Sequence, residues 1–568
     1  MVNVNENKPL ELSLVDFGVR PDSGEDAGPG LRRAIAAAKR HRGPVKLAVA
    51  PGRYDFHPES ADRVPYYVTN TASEEENPDP VKTIAIWLKD MNDFELDGGG
   101  SLFVFYGKMT MLALDGCVRT TIRDVGFDYS RPTVVEMTID KLGEGFMDVT
   151  VHADTRYDVH DGKLRWVGDG WSFLEGPVQA YDPIRDATWR IGNVLARAAK
   201  VEETAPGRIR FFYEGRDSGE ALEAGWVLQA RDGIRDQVGA FIHRCKDVRW
   251  ERVGVHFMHG LGIVGQFSEN LNFRQLNLSP RPETGRTVAA FADFVHLSGC
   301  RGVVEIADSV FSGAHDDAIN VHGTHLRIVG APTGDELAVR FMHPQTYGFE
   351  AFGAGDEIEF VRPGTLLPYA TGRVKEARLT EPRVMLLKLE DRLPEGIGEG
   401  DVIENVTWTP ELRVTGCSFS RIPTRGVLAT TRRPVVLASN VFKRLRMSAV
   451  LVADDAASWY ESGRVEDLTI RDNRFVACGE PGCAVISIMP ENEEVDEDAP
   501  VHRNIRVAVN VFETSRASFL LEAKSTQGIA FFGNEIRSAT GPTAPEDTVR
   551  LLACSDVDVR DNCYHGME

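Results

Sequence analysis

Three scarcities in this 568-residue chain each remove a class of protein. No stretch approaches the roughly 20 consecutive apolar residues needed to cross a bilayer as a helix. Met1 to Leu10 carry no apolar run behind a basic start, so the chain shows no export signal. That leaves its location open between the cytoplasm and an exported protein with its signal removed. Positive charge is also short: 64 Lys plus Arg face 85 Asp plus Glu, a formal net charge of −21. Nucleic acid and anionic membrane are therefore poor partners, and a polyanionic substrate would meet a repulsive field unless a local basic patch overrode it. The eight cysteines contain no CxxC pair and no zinc spacing. Cys117, Cys245, Cys300 and Cys554 each precede a strand-like segment and read as small buried residues at equivalent turns. Cys478 and Cys483 are close enough in sequence to pair, although packing is their plainer role.

What is present is a repeat. Strand-like segments recur at Val118–Phe127, Val248–Val255, Leu271–Leu278, Val303–Phe311 and Leu412–Phe419. The series continues at Val435–Phe442, Leu468–Phe475, Ile505–Phe512, Ile529–Ile536 and Val557–Tyr564. Each alternates apolar residues with period two, then has a small or polar turn residue, then an aromatic or aliphatic one. Two ladders follow. Asn440, Asn473, Asn510, Asn534 and Asn562 share one turn position, where an amide can bond to backbone above and below. Phe311, Phe419, Phe442, Phe475 and Phe512 share an inward position and predict an aromatic stack. The regular steps, Phe419 to Phe442 and Phe512 to Ile536, fall within the roughly 20–30 residues of a solenoid coil. A solenoid can grow along one axis past the size of an ordinary compact domain. The fold class is all-β: a right-handed parallel β-helix.

Two steps are far too long for one coil, from Phe127 to Val255 and from Phe311 to Phe419. Both gaps hold alternating strands with Gly and Asp turns and predict inserted antiparallel β-barrel-like domains. The expected organisation is a cap and first coils over 1–131, an insert over 132–235, central coils over 236–324, a second insert over 325–408, and C-terminal coils over 409–568. An Ala-rich run from Leu31 to His41 predicts the helix that caps the first coil.

The chemistry concentrates between the inserts. Asp293 is followed one regular step later by Asp316 in His315-Asp316-Asp317, and then by Asn320 and His322-Gly323. One coil apart, such residues lie on top of one another, so three carboxylates would gather in one patch. Like charges that close hold a proton between them, and glycoside hydrolysis needs one protonated and one ionised carboxyl. Adjacent residues on a strand point to opposite faces, so Asp316 and Asp317 can both reach a cleft only from a turn or bulge, which Gly313 permits. His315, His322 and His325 invite a metal reading, but their spacing matches no defined site, and hydrogen bonds to sugar hydroxyls or to the acids fit better. No metal and no cofactor are expected. Further candidates for sugar contact are Trp459 and Glu461 in a corner loop, Arg425 and Arg432 one coil after the second insert, and Gln266 one coil before Asp293. Glu269 is a weaker one.

The segments Ala292-Asp293-Phe294-Val295-His296-Leu297-Ser298-Gly299-Cys300, His315-Asp316-Asp317-Ala318-Ile319-Asn320-Val321-His322-Gly323-Thr324 and Trp459-Tyr460-Glu461-Ser462-Gly463 resemble glycoside hydrolase family 110, the α-1,3-galactosidases. The start of the chain resembles the cap of pectin-lyase-like β-helix enzymes. The resemblance implies an inverting hydrolase that releases terminal α-1,3-linked galactose, as from blood-group B type glycans. It implies Asp316 as general acid, with Asp293 and Asp317 sharing the role of base. A polygalacturonase-like hydrolase is the nearest rival; it would place Gly-His-Gly about one coil further on and a basic triplet beyond, neither of which occurs. A polysaccharide lyase would need calcium and a basic residue as base. A non-catalytic carbohydrate-binding solenoid is the remaining alternative. The substrate partner is an oligosaccharide or glycan, and a long exposed flank leaves room for a homodimer.

Overall fold

The computed structural model describes residues 8–215, 220–479, 482–514, 519–539 and 547–566. Residues 1–7, where an export signal would begin, lie outside them. The chain winds into a parallel β-helix in the right-handed sense that parallel crossovers take. Each regular coil supplies three short strands. One central coil is Val295–Ser298, Arg301–Ala307 and Val310–Ser312; the next is Ile319–Thr324, Pro410–Thr415 and Ser418–Ser420. The two stack in register, Val295 on Ile319, Val304 on Leu412 and Phe311 on Phe419.

The two ladders form. Asn440, Asn473, Asn510, Asn534 and Asn562 are linked in series, each side-chain oxygen accepting from the backbone N–H and the amide of the asparagine before it at 2.9–3.1 Å. Their amides also donate to strand carbonyls, so polar groups sealed inside the turns are paired. Phe311, Phe419, Phe442, Phe475 and Phe512 stack with centroids 4.6–5.0 Å apart. The capping helix runs from Gly28 to Arg40, one turn earlier than the Ala-rich run suggests, because Pro29 suits the first turn, where its missing N–H costs nothing. Leu31, Ala34, Ile35 and Ala38 face the first coil and are buried. Cys117, Cys245, Cys300 and Cys478 are buried free thiols, and Cys478 and Cys483 are not joined.

The first insert is a seven-stranded antiparallel sheet and a separate three-stranded sheet around a core that includes Trp166 and Phe211. The second is a closed barrel of six strands from Leu326–Thr333 to Val402–Asn405. They leave the coil at different corners. The first departs after Val118–Tyr129 and returns before Ala240–His243; the second departs after Ile319–Thr324 and returns before Pro410–Thr415. These two corners flank the same ladder, the one containing Ile263–Gln266, Val295–Ser298, Ile319–Thr324 and Val427–Ala429. That ladder is therefore the floor of a cleft with an insert at either side.

Candidate active site

The three aspartates occupy the corner turns that feed this ladder. Val295 pairs with Ile319, so Asp293 stands under Asp317, each just ahead of its strand. The N–H of Phe294 donates to the Asp317 carbonyl at 3.1 Å. The local coil is thus one position longer than the spacing that would put Asp293 beneath Asp316. A slip by that one position would turn every inward side chain outward, and burial forbids it. Asp316 and Asp317 lie in the bend after Gly313, whose φ of 89° opens the turn. Both carboxyls therefore escape strand alternation. Asp316 comes within 3.0 Å of Arg190, which the first insert supplies.

Burial and the nearby Asp316 push the Asp293 carboxyl well above its ordinary value. Burial also raises Asp317, to about 7, with Asp316 and Asp293 adding to the rise and Arg425 opposing it. Arg425 holds Asp317 through its backbone N–H at 3.1 Å and its guanidinium at 3.2 Å. Two stacked carboxyls that resist ionising together keep a proton in the site near neutral pH.

The opposite wall comes from the corner loop between Val450–Val452 and Leu468–Arg471. Asp455 organises it: one carboxylate oxygen accepts from the N–H of Ala457 and Ser458 at 2.7 and 2.8 Å, the other from the N–H of Trp459 and, at 3.0 Å, of Tyr460. The short strand Glu461–Ser462 then pairs with Gly323 and Thr324. A Cβ on Gly323 would meet the Ser462 hydroxyl at 2.5 Å, so glycine is what lets the loop close. Glu461 is thereby brought over the floor, accepting from Asn70 at 2.7 Å and from Asn320 at 3.4–3.5 Å. Burial works to raise Glu461, but His322, His296 and the two amides prevail and hold it below its ordinary value. Trp459, half exposed at 41%, stacks on His343 of the second insert at 4.2 Å and leaves its indole at the pocket rim.

Several expected contacts have other work. Arg432 does not reach the pocket; its guanidinium is taken by Glu359 and Glu404 of the barrel at 2.7–3.0 Å, which ties the second insert to the coil. Gln266 accepts from the Thr69 N–H and donates to the Tyr67 carbonyl, fixing the segment that presents Asn70. His315 is buried outside the cleft, and burial beside Arg231 and Arg190 keeps it neutral, well below its ordinary value. His325 braces the Trp459 loop through the Asp455 carbonyl at 3.0 Å. Glu269 is bound on the outer surface by Arg301 and Lys246. Asn320, Arg425, Trp459 and Glu461 do converge with the three acids. His322 lies directly behind them, 3.6 Å from Glu461.

Asn70, Arg190, Arg235, His296, Asp455 and Glu491 also line the pocket and were not singled out from sequence. Of these, His296 stands close behind Asp293 in the chain and Asp455 just ahead of the Trp459 segment, so both carried a local signal. The others lie in distant loops or in the first insert, and nothing in their neighbours marks them.

Among the described residues, one set could gather on a metal ion: His296, His322 and Glu461, whose ligand atoms lie within 4.8 Å of one another. The two Nε2 atoms are 2.8 Å apart. Two nitrogens on a tetrahedral zinc would stand about 3.3 Å apart, so this pair is spaced for a shared proton. The pocket measures about 280 Å³. Small-molecule sites usually span roughly 300–1,000 Å³, so the cleft suits one sugar ring rather than a threaded polymer. A larger groove, about 920 Å³, runs along the barrel past Lys375 and Arg378, but no cluster of acids converges there.

Comparison with known proteins finds matches over both inserts and over nearly the whole chain. Two family models match the inserts: GLAA-B beta-barrel domain I over residues 135–228 and GLAA-B beta-barrel domain II over residues 336–403. The chain is 40% identical to alpha-1,3-galactosidase A of Bacteroides thetaiotaomicron, across 96% of this chain and 95% of that one. It is 35% identical to alpha-1,3-galactosidase A of Streptomyces avermitilis, across 96% and 90%. It is 33% identical to alpha-1,3-galactosidase B of Bacteroides thetaiotaomicron, across 98% and 91%. Among solved structures it resembles the catalytic unit of the GH87 alpha-1,3-glucanase of Streptomyces thermodiastaticus, at 10% identity and a TM-score of 0.41 over 98% of this chain and 66% of that one. Relatives 33–40% identical over nearly the full length of both chains show that the chain belongs to the α-1,3-galactosidase family of glycoside hydrolases.

Proposed function

We propose that the chain is an exo-acting, inverting α-galactosidase that removes terminal α-1,3-linked galactose from oligosaccharides or glycans. The observation that carries this reading is the stacking of Asp293 under Asp317, with Asp316 beside them on the Arg190 side of a pocket sized for one ring. Asp316 takes the role of general acid, giving its proton to the glycosidic oxygen once bound sugar has parted it from Arg190, with which it pairs at 3.0 Å. The stacked pair holds the attacking water and takes its proton, so that water adds as the bond to the aglycone breaks and the product forms with the opposite anomeric configuration. Arg190 steadies the Asp316 carboxylate left behind. Trp459 offers an apolar face to the ring, while Asn320 and Asn70 aim Glu461 at sugar hydroxyls.

The sugar is neutral. Asp293, Asp316, Asp317, Asp455, Glu461 and Glu491 face three guanidiniums, of which Arg190 and Arg425 are already paired with the acids. A uronate would add a further negative charge to a pocket already rich in carboxyls. That weighs against a polygalacturonase-like substrate.

Asp316→Asn tests the assignment. It should abolish hydrolysis of an α-1,3-galactosyl oligosaccharide while the protein still binds galactose. Turnover at the parental rate would sink the role of Asp316. A product that appears first as α-galactose by NMR would sink inversion.

A further inference from the structure

The mechanism above gives no work to His296 or His322, yet both are buried and joined to Asp293 in one line. Asp293 Oδ2 lies 2.9 Å from His296 Nδ1, His296 Nε2 lies 2.8 Å from His322 Nε2, and His322 Nδ1 lies 2.5 Å from the Gly323 carbonyl. Each of these three contacts needs one hydrogen. A carbonyl only accepts, so His322 carries a proton on Nδ1. Two bare imidazole nitrogens at 2.8 Å would repel, so one proton lies between the rings. A third lies between His296 and Asp293. Two neutral imidazoles and an ionised carboxylate hold only two protons. The trio therefore holds one more and is neutral as a unit.

Resting on the reading of Asp293 as a base, we infer that Asp293, His296 and His322 form a proton chain through which Asp293 empties itself before it accepts the proton of the attacking water. At rest Asp293 O–H donates to His296 Nδ1, His296 Nε2–H donates to His322 Nε2, and His322 Nδ1–H donates to Gly323. The directions of perturbation agree with this resting state: burial and Asp316 raise Asp293 well above its ordinary value, and burial with the neighbouring His322 pushes His296 down to about 3. In the shift, Asp293 O–H breaks as His296 Nδ1–H forms, and His296 Nε2–H breaks as His322 Nε2–H forms. Nothing enters or leaves. Asp293 becomes a carboxylate and His322 an imidazolium, 3.6 Å from the Glu461 carboxylate, which balances it.

The water then loses its proton to Asp293 as its oxygen bonds to the anomeric carbon, and Asp316 protonates the leaving oxygen. After product leaves, the proton that Asp293 took from the water passes to solvent and Asp316 takes one back. The chain then runs in reverse, His322 Nε2–H returning to His296 Nε2 and His296 Nδ1–H to Asp293, which restores the resting state. The other charged groups around the chain are Asp316, Asp317, Arg235 and, beyond Asp317, Arg425. His296 and His322 are positioning residues in this scheme, because neither touches a reacting atom.

The test is the pH profile of kcat in wild type, His322→Gln and His296→Leu, beside ¹⁵N-histidine NMR of the resting protein. Glutamine at 322 can still donate to His296 but cannot take the proton. Both variants should move the acid limb of kcat up by about one pH unit or more and lower kcat near neutrality by about tenfold, with KM changed by less than about threefold. An unmoved limb, or a loss equal at every pH, would overturn the chain. The spectrum should place the His296 proton on Nε2 and the His322 proton on Nδ1, with a low-field proton between the rings that disappears in His322→Gln. Protons on Nδ1 of both rings would equally overturn it. Failure of the wild type to cleave any α-galactoside would sink the functional reading alone, since the resting spectrum needs no turnover.

Discussion

Replacing Asp317 by asparagine should separate stability from function in a pH-dependent way. The Asp317 carboxyl is raised from 3.8 to about 7, chiefly by burial. Below about pH 4 it is protonated in both the folded and unfolded chain and costs nothing. Between about pH 4 and 7 the unfolded chain releases this proton while the folded one keeps it, so stability falls as pH rises; above about 7 the full cost is in place. At about 1.36 kcal/mol for each pH unit of that window, the ceiling is about 4 kcal/mol. The asparagine side chain resembles the protonated carboxyl and removes that slope. The attraction to Arg425 grows only as Asp317 ionises and is already contained in the value of about 7, while the Arg425 N–H can still donate to an asparagine oxygen at every pH, so neither adds to the slope. At about 2.1 cal/mol/K per residue, unfolding a chain of this length has an entropy of about 1.2 kcal/mol/K, so the offset in thermal midpoint should grow by about 3 °C in the mutant's favour between about pH 4.5 and 8. Calorimetric or fluorescence melts across that range measure it, and hydrolysis should be lost throughout. An offset that stays constant with pH would refute the claim that burial of this carboxyl is a stability cost carried for catalysis.

Other outcomes rest on the same geometry. Arg432→Met strands Glu359 and the buried Glu404, so it should cost about 3–5 kcal/mol in thermal stability while leaving KM for a small galactoside unchanged at low temperature. Gly323→Ala places a Cβ against the Ser462 hydroxyl and displaces Glu461; a shift of about 1 Å in a positioning group costs on the order of 100-fold in kcat/KM, readable by steady-state kinetics. Asn473→Ala leaves the buried Asn440 N–H without the oxygen it donates to; at about 1–3 kcal/mol for such a group, urea unfolding should show a loss of that size with activity intact in the folded fraction.

Much of the fold was legible because solenoid stability is built from identical neighbours. An asparagine that bonds to the next asparagine must recur at one turn position, and a phenylalanine that stacks on the next must recur at one inward position. Such repetition writes itself into the chain, so Asn440 through Asn562 and Phe311 through Phe512 can be aligned from residues alone. The two inserts showed as interruptions of that period. Their closure did not: the second closes into a barrel and the first splits into two sheets, an outcome set by strand pairing that no repeat encodes.

The sequence by itself determined that three aspartates would gather on one face of a β-helix, since they sit in consecutive turns of a repeating coil. Only the tertiary structure decided which acid lies beneath which. The exact length of a coil depends on how its corner bends, and the paired register of Val295 with Ile319 chose Asp317 over Asp316. It also assigned Arg432 to the barrel and brought in Asn70, Arg190 and Arg235. Each is far along the chain from the residues it meets, and a contact that closes a long loop leaves no trace in local sequence.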